Sequence, residues 1–308
     1  TGAYHLSRRT TQSLLEDLFQ VSMSLGTLVH LEQATVQAVA APIAEARRYV
    51  QEQPVAHLDE TGWREGPHRA WLWTAVTAGV TVFVVRLSRG GKVAQELLGE
   101  RFWGWLITDR WSGYNWYPTW RRQLCWAHLA RDIEAMIERG GRSQAIGEAL
   151  RDQMRQMFHW WHRVRDGTLA HGSLASYMRP VQREVERRLE EGQHCGVQKT
   201  EGVCREILKR RQALWTFVRH EGVEPTNNPA ERAIRPGVLW RKGSFGTQSP
   251  EGSRFVEVMM TAVATLKQQH RNVLEYLTVA CEARWRGDPA PSLLPTPAHL
   301  SELLHPAA

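Results

Sequence analysis

The strongest constraint on the fold lies in residues 55–88. "VAHLDETGW", "RAWLWTAVTAG" and "VTVFVVRLS" are three runs dense in valine, threonine and aromatic side chains, with Ala78-Gly79 as a turn between the last two. Branched and aromatic side chains suit a pleated surface better than a helix, so these runs predict three strands. The period then changes. "GGKVAQELLGERF" (90–102) has helical spacing, "WGWLITDRW" (103–111) reads as a further strand, and "RRQLCWAHLARDIEAMIERGG" (121–141) reads as a strand entering a helix. Consecutive strands followed by strand–helix alternation predict an α/β protein with a mixed sheet flanked by helices.

Helical patterns surround this region. Ser7 is placed to cap a first helix with Leu14, Leu15, Leu18 and Phe19 on one side, and Ser24 to cap a second. The pair fits a helix-turn-helix or an ordinary helical hairpin, and residues 34–51 continue as a connecting helix. Residues 140–222 show no strand signal and hold fifteen Lys/Arg against ten Asp/Glu, which predicts a helical insertion. Its basic excess suits a solvated face or a nucleic-acid surface. Further helices are expected from near Asn228, over about 253–269, and over 272–286. The expected division is a helical segment 1–51, a core 52–139, the insertion 140–222, a second core part 223–290, and a proline-rich tail 291–308 lying over the surface.

Composition narrows the function classes. With 42% apolar residues in 308, the chain can bury a substantial core, yet no run of eighteen apolar residues exists to span a membrane. Cys125, Cys195, Cys204 and Cys281 match no paired zinc spacing and are too few for a disulfide scaffold, which predicts a reducing, cytoplasmic setting. The net charge of +7 is compatible with a polyanionic partner. The chain opens on Thr1 without a charged-then-apolar leader, so the expectation is a trimmed piece with no signal peptide.

Candidate chemistry rests on scattered acids. Asp59 is expected to close the first strand and Asp109 the fourth, where side chains converge on the edge at which α/β proteins bind ligands. Alternation favours Asp59 over Glu60, because Asp59 shares a face with His57 and Glu60 with Leu58. Glu231, in "PTNNPAERAIRP", has two readings. With Asn228 as cap and Pro229 in the first turn it occupies a capping-box position; from there it also points out of the helix start, toward other acids. Three carboxylates around one point need a cation, and an all-oxygen set suits Mg2+ or Mn2+ better than zinc.

Four segments in order, "HLDETGWR" (57–64), "ITDRWSGY" (107–114), "CWAHLARD" (125–132) and "PTNNPAERAIRP" (225–236), resemble the DDE transposases of the insertion-sequence-66 family. The resemblance runs from the first helices to "LEYL" (274–277). It implies a ribonuclease-H-like core with Asp59, Asp109 and Glu231 as ligands of two Mg2+ or Mn2+ ions, and DNA cleavage and strand transfer at insertion-sequence ends. It places His128, in the Cys-x2-His element begun by Cys125, beside the scissile phosphate, the other reading being a buried cysteine with a hydrogen-bonded histidine. Arg131, Asn227, Arg232, Arg235, Arg241 and Lys242 then become DNA-contacting candidates, Asn227 alternatively positioning the helix. The implied partners are double-stranded DNA at transposon ends and target, further copies of the chain, and small accessory proteins, in a nucleoid-associated setting. Family members usually carry an upstream coiled coil and a Cys-rich segment, and neither occurs in this sequence, which fits an N-terminally truncated chain. Three rival readings stay open: a binding-only remnant, a nuclease that only hydrolyses, and a glycosidase-type carboxylate pair.

Overall fold

The computed structural model describes residues 1–297. In chain order the elements are α1 (Arg8–Phe19), α2 (Leu25–Ala38), α3 (Ala40–Gln51), β1 (Val55–Glu65), β2 (His68–Val76), β3 (Thr81–Arg86), α4 (Gly91–Leu98), β4 (Trp105–Thr108), β5 (Arg122–Leu124) and α5 (Trp126–Glu138). There follow α6 (Gly141–Arg165), α7 (His171–Gly192), α8 (Gln198–Leu208), α9 (Thr216–Arg219), α10 (Asn228–Ser244), α11 (Pro250–Gln268) and α12 (Val273–Arg286). The protein is mixed α/β: β1–β2 and β2–β3 pair antiparallel, whereas β4 and β5 pair parallel. No described helix is long and apolar enough to cross a membrane.

The described chain forms two compact units, one of residues 1–104 and 229–297, the other of Trp105–Asn228. The first unit is built on the β1–β2–β3 meander. The β2–β3 turn closes where expected, with the Thr77 N–H donating to Val80 O at 2.9 Å. Two apolar clusters form in this unit. One joins Trp63, Ala70, Leu72, Phe83 and Val85 of the strands to Ile234 of α10 and to Val256 and Met260 of α11. The other joins Val39 and Ile43 to Val258, Ala262 and Leu266 of α11 and to Tyr276 and Ala280 of α12. The first fifty residues therefore share a core with the C-terminal helices and do not stand apart as a segment of their own.

Two particulars differ from the sequence expectation. Ser7 and Ser24 do cap α1 and α2, each accepting an N–H at 3.0 Å. The α1 stripe nevertheless has no core to face: Leu18 and Phe19 are 69% and 64% exposed. Periodicity reports which residues share a side of a helix, not whether anything covers that side. The tail, expected over the surface, begins inside: Leu293 is fully buried, and Tyr276 Oη donates to Pro291 O at 2.7 Å. Its remainder lies outside the described residues.

In the second unit, the stretch expected to be all-helical holds α6–α9 and belongs to the same unit as β4, β5 and α5. Leu174, Met178, Val181, Val185 and Leu189 form the buried stripe of α7, at the spacing that an amphipathic helix requires. The charged residues between them lie outside; Glu184, for example, pairs with Arg187 and Arg188 along the same helix.

Candidate active site

Asp59 lies mid-strand, and the expected strand end is thereby corrected. β1 runs on to Glu65, because Thr61, Trp63 and Glu65 continue to pair with Leu72, Ala70 and His68 of β2. The polar run "DETG" was mistaken for a terminus, but cross-strand pairing holds backbone that local composition would release. Alternation puts Asp59 on one face with His57, Thr61 and Trp63, and Glu60 on the other. The Glu60 side chain is 3% exposed and is held by the Arg89 guanidinium at 2.8 Å. Asp59 is half-buried, with Oδ1 accepting the Glu60 N–H at 2.9 Å.

The face that carries Asp59 is the face that α10 covers. Arg241 Nη1 donates to Thr61 Oγ1 at 3.3 Å and to Gly62 O. Gly237 comes so close to β2 that a Cβ there would stand 2.4 Å from Leu72 Cδ2. Ile234 packs in the cluster with Trp63 and Leu72. Glu231, Ile234, Val238 and Arg241 recur at helical spacing and so share this inward side of α10. Glu231 is thus on the side of α10 whose Ile234 and Arg241 meet the face of β1 that carries Asp59. The helix already includes Asn228, which moves the cap position to Asn227 and makes Glu231 the fourth helical residue, one beyond the capping-box position.

Of the basic candidates on α10, Arg232, Arg235 and Lys242 are exposed. Arg241 is half-buried and ties α10 to β1, a use that sequence reading missed because nothing local to "WRKG" points at a strand 180 residues away.

The second unit holds the remaining candidates. Asp109 follows β4 directly and opens a constrained turn. Its Oδ1 accepts the Trp111 N–H at 2.9 Å, and its carbonyl accepts from Thr108 Oγ1 at 2.8 Å. Gly113 leaves room for the Trp111 ring, since a Cβ there would lie 2.0 Å from it and would displace it. Beneath the turn is Arg122, 1% exposed. Its guanidinium donates to Thr108 Oγ1 (3.0 Å), Asp109 O (3.2 Å), Tyr114 O (3.2 Å) and Asn115 Oδ1 (3.4 Å). Burial pulls this guanidinium down to about 10; nearby Arg210 adds to the effect and Asp109 opposes it. Sequence reading passed over Arg122, although an arginine inside the strand "RQL" was a legible signal, because a charge in a buried strand needs a dedicated set of acceptors.

Two of the sequence motifs meet within this unit. Cys125 precedes α5, and its Sγ accepts the Asn227 N–H at 3.1 Å, while the Trp126 N–H donates to Pro225 O at 2.9 Å. Asn227 is fully buried. Of its two expected roles, positioning fits this placement and contact with DNA does not. Cys125 is buried; His128 is half-buried in the first turn of α5, and Arg131, one turn on, is exposed. Asp59 and Glu231 therefore belong to one unit, and Asp109, His128, Arg131 and Asn227 to the other.

Comparison with known proteins accords with these motifs. The chain is 27% identical over 252 residues to the uncharacterized protein y4qI of Sinorhizobium fredii (strain NBRC 101917 / NGR234), a match taking in 72% of this chain and 45% of that relative. The chain thus spans about half the length of the curated relative it matches. The model of the family described as "Transposase IS66 family" matches residues 3–254. A match over that much of its length shows that the chain belongs to the IS66 transposase family.

Proposed function

We propose that the protein is a DDE transposase with a ribonuclease-H-like core. It cuts DNA at insertion-sequence ends and joins the released 3′-hydroxyl to target DNA. The observation that carries this reading is the packing of α10, the helix that bears Glu231, through Ile234 and Arg241 on the face of β1 that bears Asp59, although the two acids are 172 positions apart in sequence. Asp109 supplies the third carboxylate, held on a turn braced from below by Arg122.

The donor set fits hard divalent cations. Among the described residues, Asp109 has no ion-pair partner within 4 Å, and its turn engages one carboxylate oxygen through a backbone N–H. Asp59, Asp109 and Glu231 would hold two Mg2+ or Mn2+ ions. Such ions, when bound, neutralise charge on a phosphodiester and lower the pKa of a coordinated water or 3′-hydroxyl. The chain's own contribution is positional. β1 and α10 fix two acids on rigid elements, and the Asp109 turn fixes the third. His128 orients a water or contacts the scissile phosphate, and Arg131, Arg232, Arg235 and Lys242 grip the flanking backbone. Two ends must be paired for transposition, so the acting form is an assembly of copies on DNA, with small accessory proteins as further partners.

The test is an incubation of duplexes from both flanks of the encoding gene with Mg2+ or Mn2+. Nicked and strand-joined products are expected from the wild type, and neither from Asp59→Ala, Asp109→Ala or Glu231→Ala. Retarded DNA that is never cut would establish the binding-only remnant. Nicks without joined products would establish a hydrolysing nuclease.

A further inference from the structure

The loop after α10 spends conformational strain on exposing a phenylalanine. α10 ends at Ser244, and Phe245 follows in the left-handed region at φ 59°, its N–H donating to Arg241 O at 2.8 Å. That position favours glycine, and a bulky side chain there is an outlier. The ring recovers nothing by burial, being 76% exposed. The backbone around it is pinned on both sides. The Gly246 N–H donates to Ser244 Oγ at 3.2 Å, the Thr247 N–H to Arg64 O at 2.9 Å, and the Gly66 N–H to Thr247 O at 2.8 Å. Gly246, at φ 107°, admits this approach, since a Cβ there would stand 2.4 Å from Arg64 O. The surroundings over-determine a costly conformation, which is the pattern of a functional site.

The neighbourhood defines the partner's chemistry. Lys242, one turn earlier, is exposed, and so are Arg64 beside Gly246 and His68 and Arg69 at the β1–β2 hairpin. One acid, Glu65, interrupts them, and residues 241–249 contain none. A flat apolar ring ringed by cations matches a polyanion that offers flat apolar faces. We propose that Phe245 stacks on an unpaired base of bound DNA while Arg64 and Lys242 hold the adjoining phosphates. This rests on the reading that the chain acts on DNA.

Fluorescence anisotropy in EDTA separates the two. The probes are two labelled duplexes of the same flank sequence, one fully paired and one carrying a single unpaired base. The wild type is expected to prefer the second by about tenfold, in line with base–aromatic stacking. Phe245→Ala should bind both equally, and Phe245→Trp should keep the preference. Phe245→Gly should lose it while melting no lower than the wild type, because glycine relieves the strain. A wild type that binds neither duplex overturns the DNA reading and this inference together. A wild type that binds both without preference, or a Phe245→Ala protein that retains the preference, overturns this inference alone. So does Phe245→Ala weakening self-association with DNA preference intact, which would assign the ring to a second copy of the chain.

Discussion

Replacing Arg122 should give an order of stability opposite to chemical similarity. Four hydrogen bonds from a buried guanidinium, at ~1.5–3 kcal/mol each for charged partners, suggest a loss of at least ~6 kcal/mol for Arg122→Met. The structure argues for less. Thr108 Oγ1 already donates to Asp109 O at 2.8 Å, so both keep a partner. Asn115 Oδ1 also accepts from Arg210 at 3.2 Å. Tyr114 O also accepts the Tyr117 N–H at 3.1 Å, so none of the four acceptors depends on Arg122 alone. Removing the cation also removes its burial cost, on the order of 3 kcal/mol for a guanidine drawn down to about 10. The expected loss for Arg122→Met is therefore ~1–3 kcal/mol. Arg122→Lys keeps a buried charge but cannot span acceptors on both arms of the turn, and should lose ~3–5 kcal/mol. Urea unfolding followed by tryptophan fluorescence measures both. A lysine variant as stable as the methionine variant, or a methionine variant that loses the full additive sum, would refute the reasoning.

Other outcomes follow from the same structure. Saturating Mn2+ should raise the melting temperature of the wild type, by the equivalent of ~2.7 kcal/mol at a hundredfold excess over Kd, and should not do so for Asp59→Asn or Glu231→Gln. Glu257 is buried, accepting the Val85 N–H at 2.8 Å and pairing with Arg86 at 2.7 Å and Arg47 at 3.0 Å, so Glu257→Gln should cost ~3–5 kcal/mol in urea unfolding. Burial pushes the Tyr117 hydroxyl up to about 12. The folded state then keeps a proton that the unfolded chain releases near pH ~10, so this stability is complete below that pH and is lost as pH rises toward the folded value. Tyr117→Phe should flatten the decline by up to ~1.4 kcal/mol per pH unit, read from urea midpoints across that window. Gly246→Ala should destabilise by ~1–3 kcal/mol, since its Cβ meets backbone that cannot swing aside.

The elements were legible in the sequence because they depend on local chemistry. Branched residues marked β1–β3, Ser7 and Ser24 marked helix starts, and 140–222 carried helical spacing throughout. The errors fell where distant chain decides. Asp59 seemed to end a strand because "DETG" is locally polar, yet β2 continues the ladder past it. The tail seemed superficial because it is rich in proline, yet Leu293 fills a gap among α2, α11 and α12. Arg241 looked like a phosphate clamp and proved to be a tie to β1.

The order and residue types of the four motifs, and with them family membership, were set by the sequence alone, because such motifs are strings. Which side of β1 receives α10, the helix that carries Glu231, was decided only by the folded unit. That choice depends on Gly237 admitting Leu72 and on Arg241 reaching Thr61, contacts between residues more than 160 positions apart. Periodicity assigns a residue to a face of its own element; packing alone selects what that face meets.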